Sequence, residues 1–336
     1  MNKSLGIYNL IDKKEINKSI KNIINSNIDF NIYTTPKGLK PLRIEISHFI
    51  NRIWKYEIKD KNMLITSGTQ QSINLIAYAM LKEKDTILIE QPTYFGAIDI
   101  FRKRNINLIG IDLLEDGLDL KKLEKRIIQY APKLIYVIPT FNNPTGYAWT
   151  NIKRKEFLNI INKYNLLVIE DDPYSLINYT NNKYESLYKL NKGKNIIYLG
   201  TFSKLISPSI NIGYIISKEK TINKIYEFKK NFDLCTNTFL QYIILDYLQN
   251  NNLEKRIKNK IKIYKKYKKK SITEIKKKYK NQIEQIKEPK GGMFYLVKFK
   301  TKRNEKIFEN GNKYYIDNRH NHSTRINICS EFKDKI

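Results

Sequence analysis

Only two cysteines, Cys235 and Cys329, occur in the 336 residues, and they stand far apart. A disulfide framework is therefore not expected, in agreement with a reducing cytosol. Glycine (13) and proline (9) are scarce, which removes collagen-like and linker-like classes. No apolar run approaches the roughly 18 residues that a bilayer span needs. The N-terminus, MNKSLGIYNLIDKKE, carries charges where a signal peptide requires an apolar stretch. Acidic residues are short too: 33 Asp and Glu stand against 62 Lys and Arg, a net charge of +29. Such a charge invites a polyanion partner. The abundant residues, Lys, Asn, Ile and Tyr, share A/T-rich codons, however, while Ala, Gly, Pro and Arg are rare. Codon bias accounts for the charge. The expectation is a soluble, cytoplasmic protein with no nucleic-acid partner and no membrane.

What is present is a globular pattern: 41% of residues are hydrophobic, and the length suits one large domain with a smaller one. Residues 62–217 alternate short apolar runs with helical patterns. MLIT (63–66), TILIE (86–90), INLIGID, KLIYVIP, LLVIE (166–170), NIIYLG (195–200) and IGYIIS (212–217) read as strands. QQSINLIAYAMLK, a stretch from about Phe95 to Arg104, DLKKLEKRIIQY and KRKEFLNIINKY read as helices between them. This alternation predicts an α/β fold with a mostly parallel sheet sandwiched by helices. Runs as apolar as LLVIE and TILIE suit a sheet covered on both faces. After about residue 218 come two or three long helices, the last over Leu253–Tyr279, with Leu253, Ile257, Ile261, Tyr264, Ile275 and Tyr279 on one face and lysines on the other. GGMFYLVKF (291–299) and RINIC (325–329) read as strands of a smaller α+β unit.

Ligands of open α/β sheets bind at the carboxyl ends of the strands. Five successive predicted strand ends carry polar or aromatic groups: Ser67, Gly68, Thr69 and Gln70 opening a helix; Gln91, Thr93 and Tyr94; Asn143 in PTFNNPTG; Asp171, Asp172 and Tyr174; and Thr201, Ser203 and Lys204. A helix start with two hydroxyls suits an anion. His320 and His322 lack a third ligand and Cys235 stands alone, so no metal site is expected.

SGTQQ, EQPTYFGA, NNPTG, EDDPY and GTFSK, in this order and spacing, resemble the class I/II aminotransferases, pyridoxal-phosphate (PLP) enzymes of fold type I. GLKPLR (38–43), CTNTFLQ (235–241), PKGGMF (289–294) and RINI (325–328) extend the resemblance from about Tyr33 to Ile328. The nearest subgroup is the 2-aminoadipate/aromatic aminotransferase-like set; the PLP domain of MocR-type regulators is similar, without their DNA-binding domain here. The resemblance implies pyridoxal 5'-phosphate as cofactor, an L-amino acid and a 2-oxo acid as substrates, and a homodimer. It implies that Lys204 bonds to the cofactor and shuttles a proton, and that Asp171 pairs with the pyridinium nitrogen. Tyr174 and Asn143 would bond the ring oxygen, and Tyr94 would stack on the ring. Gly68, Thr69, Gln70, Thr201 and Ser203 would hold the phosphate, joined by Tyr33 of the neighbouring subunit. Arg325, with Asn143, would grip the substrate carboxylate. The domains would be 1–30 (N-terminal segment of the small domain), 31–252 (large, PLP-binding) and 253–336 (small).

Three features depart from the family pattern. SPSINIGY has Asn211 where an arginine usually meets the phosphate. Only SLGIYNL precedes the first helix. The stretch between Phe299 and Arg325 is short. Alternatives to transamination are a PLP-dependent C–S lyase and a regulatory or decayed MocR-like relative.

Overall fold

The computed structural model describes residues 13–301, 309–317 and 322–329. The seven apolar runs become strands with ends shifted by a residue or two. β1 (Met63–Thr66), β2 (Thr86–Gln91), β3 (Asn107–Asp112), β4 (Leu134–Val137), β5 (Leu167–Asp171), β6 (Ile196–Thr201) and β7 (Gly213–Ile216) form one sheet, ordered β1-β7-β6-β5-β4-β2-β3. β7 is antiparallel to both β1 and β6, and every other pairing is parallel. Six strands therefore point one way, and their carboxyl ends share one edge.

Side chains alternate across the sheet, as strand geometry requires. Val168, Ile196 and Tyr198 join one core, while Ile169, Ile197 and Leu199 join the other. The second core holds residues of α3 (Gly68–Met80), α4 (Phe95–Lys103) and α8 (Glu219–Lys229). The first holds residues of α2 (Lys40–Trp54), α5 (Leu120–Tyr130), α6 (Asn151–Tyr164) and α9 (Thr238–Asn250). α1 (Lys13–Ile24) packs against α9, and the one-turn α7 (Leu187–Leu190) precedes β6. Local chemistry sets the helix ends. Asp119, Thr150 and Asn237 accept the first-turn N–H groups of Lys122, Lys153 and Leu240. Lys55, Ala131 and Asn165 end their helices in the left-handed region.

α10 (Leu253–Tyr279) buries Leu253, Ile257, Tyr264, Ile275 and Tyr279, as its periodicity predicts, with Ile261 half-buried. Its buried face also holds a lysine, Lys260. β8 (Ile283–Ile286), β9 (Phe294–Phe299), β10 (Glu309–Asn310) and β11 (Ser323–Asn327) form an antiparallel sheet in the order β10-β11-β9-β8. The hydroxyls of Ser271 and Tyr295 meet at 2.7 Å and tie α10 to β9. β8 and β10 escape sequence reading for plain reasons. IEQI is half polar, and β10 is two residues long. The segment SLGIYNL, His320 and much of the stretch between Phe299 and Arg325 lie outside the described residues.

Candidate active site

The strand ends expected to carry chemistry converge at the sheet edge and meet β11 from the smaller sheet. Asp171, the last residue of β5, is buried, 3% exposed. Its Oδ2 accepts a hydrogen bond from the Tyr136 hydroxyl at 2.6 Å, while its Oδ1 has no partner. Burial pushes this carboxyl up to about 7, against the Tyr136 hydrogen bond and with the Asp172 charge adding to the rise. Asp172 instead braces the loop: it accepts from the Ser175 N–H (2.9 Å) and the Tyr198 hydroxyl (3.0 Å). Tyr174, two residues on, is buried, and burial raises its phenol.

Lys204 follows β6 in a tight turn. Its amine is shifted below the ordinary lysine range by burial first and by the Arg325 charge second. A lysine so shifted holds more neutral amine near pH 7, the form that acts as nucleophile or base. No acidic partner for Lys204 occurs among the described residues. Arg325 lies on β11 and is 6% exposed. It donates to Asn143 Oδ1 at 3.0 Å and lies 4.0 Å from the Phe294 ring and 5.3 Å from the Tyr314 ring. Phe294 is its diagonal neighbour across the β9–β11 pair.

Asn143 is held by the residue before it. Asn142 Oδ1 accepts from the N–H (3.2 Å) and hydroxyl (2.9 Å) of Thr145, closing the turn. Asn142 Nδ2 donates to Glu90 Oε1 (2.5 Å) and to the Pro92 carbonyl (3.2 Å), fastening the turn to β2. Glu90 is fully enclosed, and burial raises it to about 8. Tyr94, half-buried, stands beside this junction, and its phenol feels the charges of Asp171 and Arg325.

The helix start expected to meet an anion is that of α3. Gly68 adopts φ +80°, and a Cβ there would stand 2.4 Å from Asn211 Oδ1, so only glycine fits. Ser67 N–H donates to Gln71 Oε1 (2.7 Å), Gln71 Nε2 donates to Asp233 (2.7 Å), and Asp233 pairs with the fully buried Lys229. Thr69 is half-buried and Ser203 likewise, while Gln70 is exposed. Thr201, expected at the phosphate, has its hydroxyl in local bonds. Its hydroxyl donates to the Ile212 carbonyl (3.2 Å) and accepts from the Ser203 N–H (3.1 Å), so it shapes the lysine turn. Asn211 is exposed, with φ 45°. Asparagine is among the few residues that tolerate this region. Tyr33 is 76% exposed and far from enclosed.

Sequence reading missed Tyr136, the Glu90–Asn142 brace and Lys260, whose Nζ donates to the Leu205 carbonyl at 2.8 Å, beside Lys204. A polar aromatic inside the apolar strand LIYV, next to the acid-bearing strand, was the available signal for Tyr136. The stripe of lysines on α10 hid Lys260.

A seven-stranded, mostly parallel sheet whose strand ends carry a half-buried lysine and a buried, half-paired aspartate is the layout of the fold-type I pyridoxal-phosphate fold. The class I and II aminotransferase profile matches residues 4–333, so the chain belongs to that family. It is 31% identical over 267 residues to aromatic-amino-acid aminotransferase 1 of Thermococcus litoralis, covering 78% of this chain and 64% of that protein. It is 28% identical over 265 residues to 2-aminoadipate transaminase of Thermus thermophilus, covering 78% of this chain and 65% of the relative. The chain thus spans just under two thirds of these relatives. A solved structure of Pyrococcus horikoshii kynurenine aminotransferase, in complex with PMP, superposes with a TM-score of 0.91 at 28% identity, over 99% of this chain and 86% of that one.

Proposed function

We propose that the protein is a pyridoxal 5'-phosphate-dependent aminotransferase that moves an amino group from an L-amino acid to a 2-oxo acid in two half-reactions at one site. The observation that carries this reading is the orphaned Oδ1 of Asp171, a fully buried acceptor that a pyridinium N–H satisfies. The residues fit the cofactor in two further respects. The start of α3 offers backbone donors to a phosphate, and Lys204 is half-buried with no acidic partner among the described residues. The bound cofactor supplies the electron sink that makes a substrate Cα–H acidic.

The chain's own groups do the rest. Arg325, stacked on Phe294 and fixed on one side by Asn143, holds the substrate carboxylate through a bidentate pair and so orients Cα. The Lys204 amine, its pKa lowered by burial, removes the proton from Cα and later returns one. Asp171, held by Tyr136, supplies the negative charge opposite the ring nitrogen. Tyr174 and Asn143 are the donors for the ring oxygen, and Tyr94 covers the ring face. Phe294 and Tyr314 close the wall behind Arg325 and limit water there.

A second copy of the chain is the proposed partner. Tyr33 is exposed together with Ile32 and Phe30, and Phe30 contacts the exposed Phe239 ring at 5.6 Å. Such an apolar patch fits an interface between copies. The large domain would span 31–252, with 1–30 and 253–336 forming the small one. Only two cysteines in 336 residues are in keeping with a cytoplasmic site of action. No described helix is long and apolar enough to cross a membrane. The test is a panel of amino donors with 2-oxoglutarate, reading glutamate. At least one aromatic, branched-chain or 2-aminoadipate donor should yield glutamate at a rate that Lys204→Ala abolishes. A C–S lyase would instead release a 2-oxo acid and thiol without any acceptor.

A further inference from the structure

We infer that Tyr136 is a positioning residue that aims the Asp171 carboxylate at the cofactor nitrogen and holds it ionised; this rests on the cofactor reading above. Tyr136 lies on β4 opposite Ile169 of β5, and Asp171 is two residues further along β5. Residues two apart on a strand share a face, so Tyr136 and Asp171 are diagonal neighbours, within reach of a phenol ring. The ring is wholly enclosed and packs edge-on against Phe101 at 6.1 Å. Its hydroxyl has a single proton to give, and it gives that proton to Asp171 Oδ2 at 2.6 Å. This length is that of a charge-assisted O–H···O⁻ bond.

Two consequences follow. Oδ2 is engaged by the phenol, which leaves Oδ1, buried and without a partner, as the oxygen to meet the cofactor nitrogen. The donor also favours the charged carboxylate against burial and against the neighbouring Asp172 charge, the two influences that favour the neutral acid. The other titratable groups near Asp171 are Tyr94, from the turn after β2, and Tyr174, from its own loop. Burial holds the Tyr136 phenol far above its ordinary range, so it remains a donor across the working pH range.

Tyr136→Phe removes one oxygen and keeps the ring that packs on Phe101. The experiment titrates PLP into cofactor-free wild type, Tyr136→Phe, Asp171→Asn and the double variant between pH 6 and 9. It follows the visible band of the lysine-bound cofactor, with thermal melts as the folding control. Tyr136→Phe should bind PLP about ten-fold more weakly near pH 7. The ratio to wild type should be larger at pH 6 than at pH 9, because below its pKa the carboxyl must first be ionised. In the Asp171→Asn background, loss of the hydroxyl should change affinity by less than about two-fold, because there is no carboxylate to hold. Wild-type affinity in Tyr136→Phe at every pH, or an equal loss in both backgrounds, would overturn the proposal. A wild type that shows no Lys204-dependent band would overturn the cofactor reading and this inference with it.

Discussion

Asn211→Arg restores the side chain that the family pattern places beside the phosphate, and its effect can be worked from the local geometry. Asn211 sits at φ 45° and ψ 38° at the end of a short turn, with its Oδ1 over Gly68. An arginine there gains a hydrogen bond between charged groups, worth roughly 1.5–3 kcal/mol. Its left-handed backbone costs about 1 kcal/mol more than asparagine's, a cost that the free and the loaded protein carry alike. The gain in binding is therefore about 1.5–3 kcal/mol, or roughly a 10- to 150-fold tightening of PLP binding. The assay is a PLP titration of cofactor-free protein at low and high salt. The gain should shrink as salt rises, because the site opens to solvent at Asn211. The strain should appear separately as a lower melting temperature without cofactor. Unchanged or weaker binding, insensitive to salt, would refute the reasoning and show that another group already covers the phosphate.

Three further outcomes follow from the same structure. Glu90 and Glu170 are buried carboxyls, each raised by burial to about 8. Each keeps a proton in the folded state that the unfolded chain has released above about pH 4, so stability falls as pH rises from there through the folded value, by about 1.4 kcal/mol per pH unit per group. Cofactor-free protein should therefore melt lower at pH 8 than at pH 6, and Glu90→Gln should reduce that difference; a melting temperature that rises with pH would contradict the assignment. Arg325→Lys should lower kcat/KM about 10- to 150-fold, because a point charge loses the bidentate pair and the stacking on Phe294; wild-type kinetics would remove Arg325 from the substrate site. Lys260→Met should leave the fold intact yet free the Leu205 carbonyl, slowing the reaction several-fold with little change in KM; an unaltered kcat would show that Lys204 needs no such support.

Much of this was legible in the sequence, for reasons visible in particular residues. The central strands are apolar on both faces, so LLVIE and TILIE announce themselves without alternation. The candidate site residues Lys204, Asp171, Tyr174 and Asn143 stand at or just after strand ends, where turn chemistry makes short recognisable motifs. What stayed hidden acts across chain distance. Tyr136 meets Asp171 only through strand register, 35 residues away, and Lys260 meets Leu205 across 55 residues. Thr201 matched its motif, yet its hydroxyl is taken by Ile212, which no spacing discloses. β8 carries two polar residues in four, so no apolar run marked it.

The central claim is that one lysine among 62 Lys and Arg carries the cofactor. The direct measurement is to load the protein with PLP, reduce the lysine–cofactor bond with borohydride, and map the labelled peptide by mass spectrometry. The account predicts a single stoichiometric label on Lys204. A label spread over surface lysines, or placed at another residue, would contradict it.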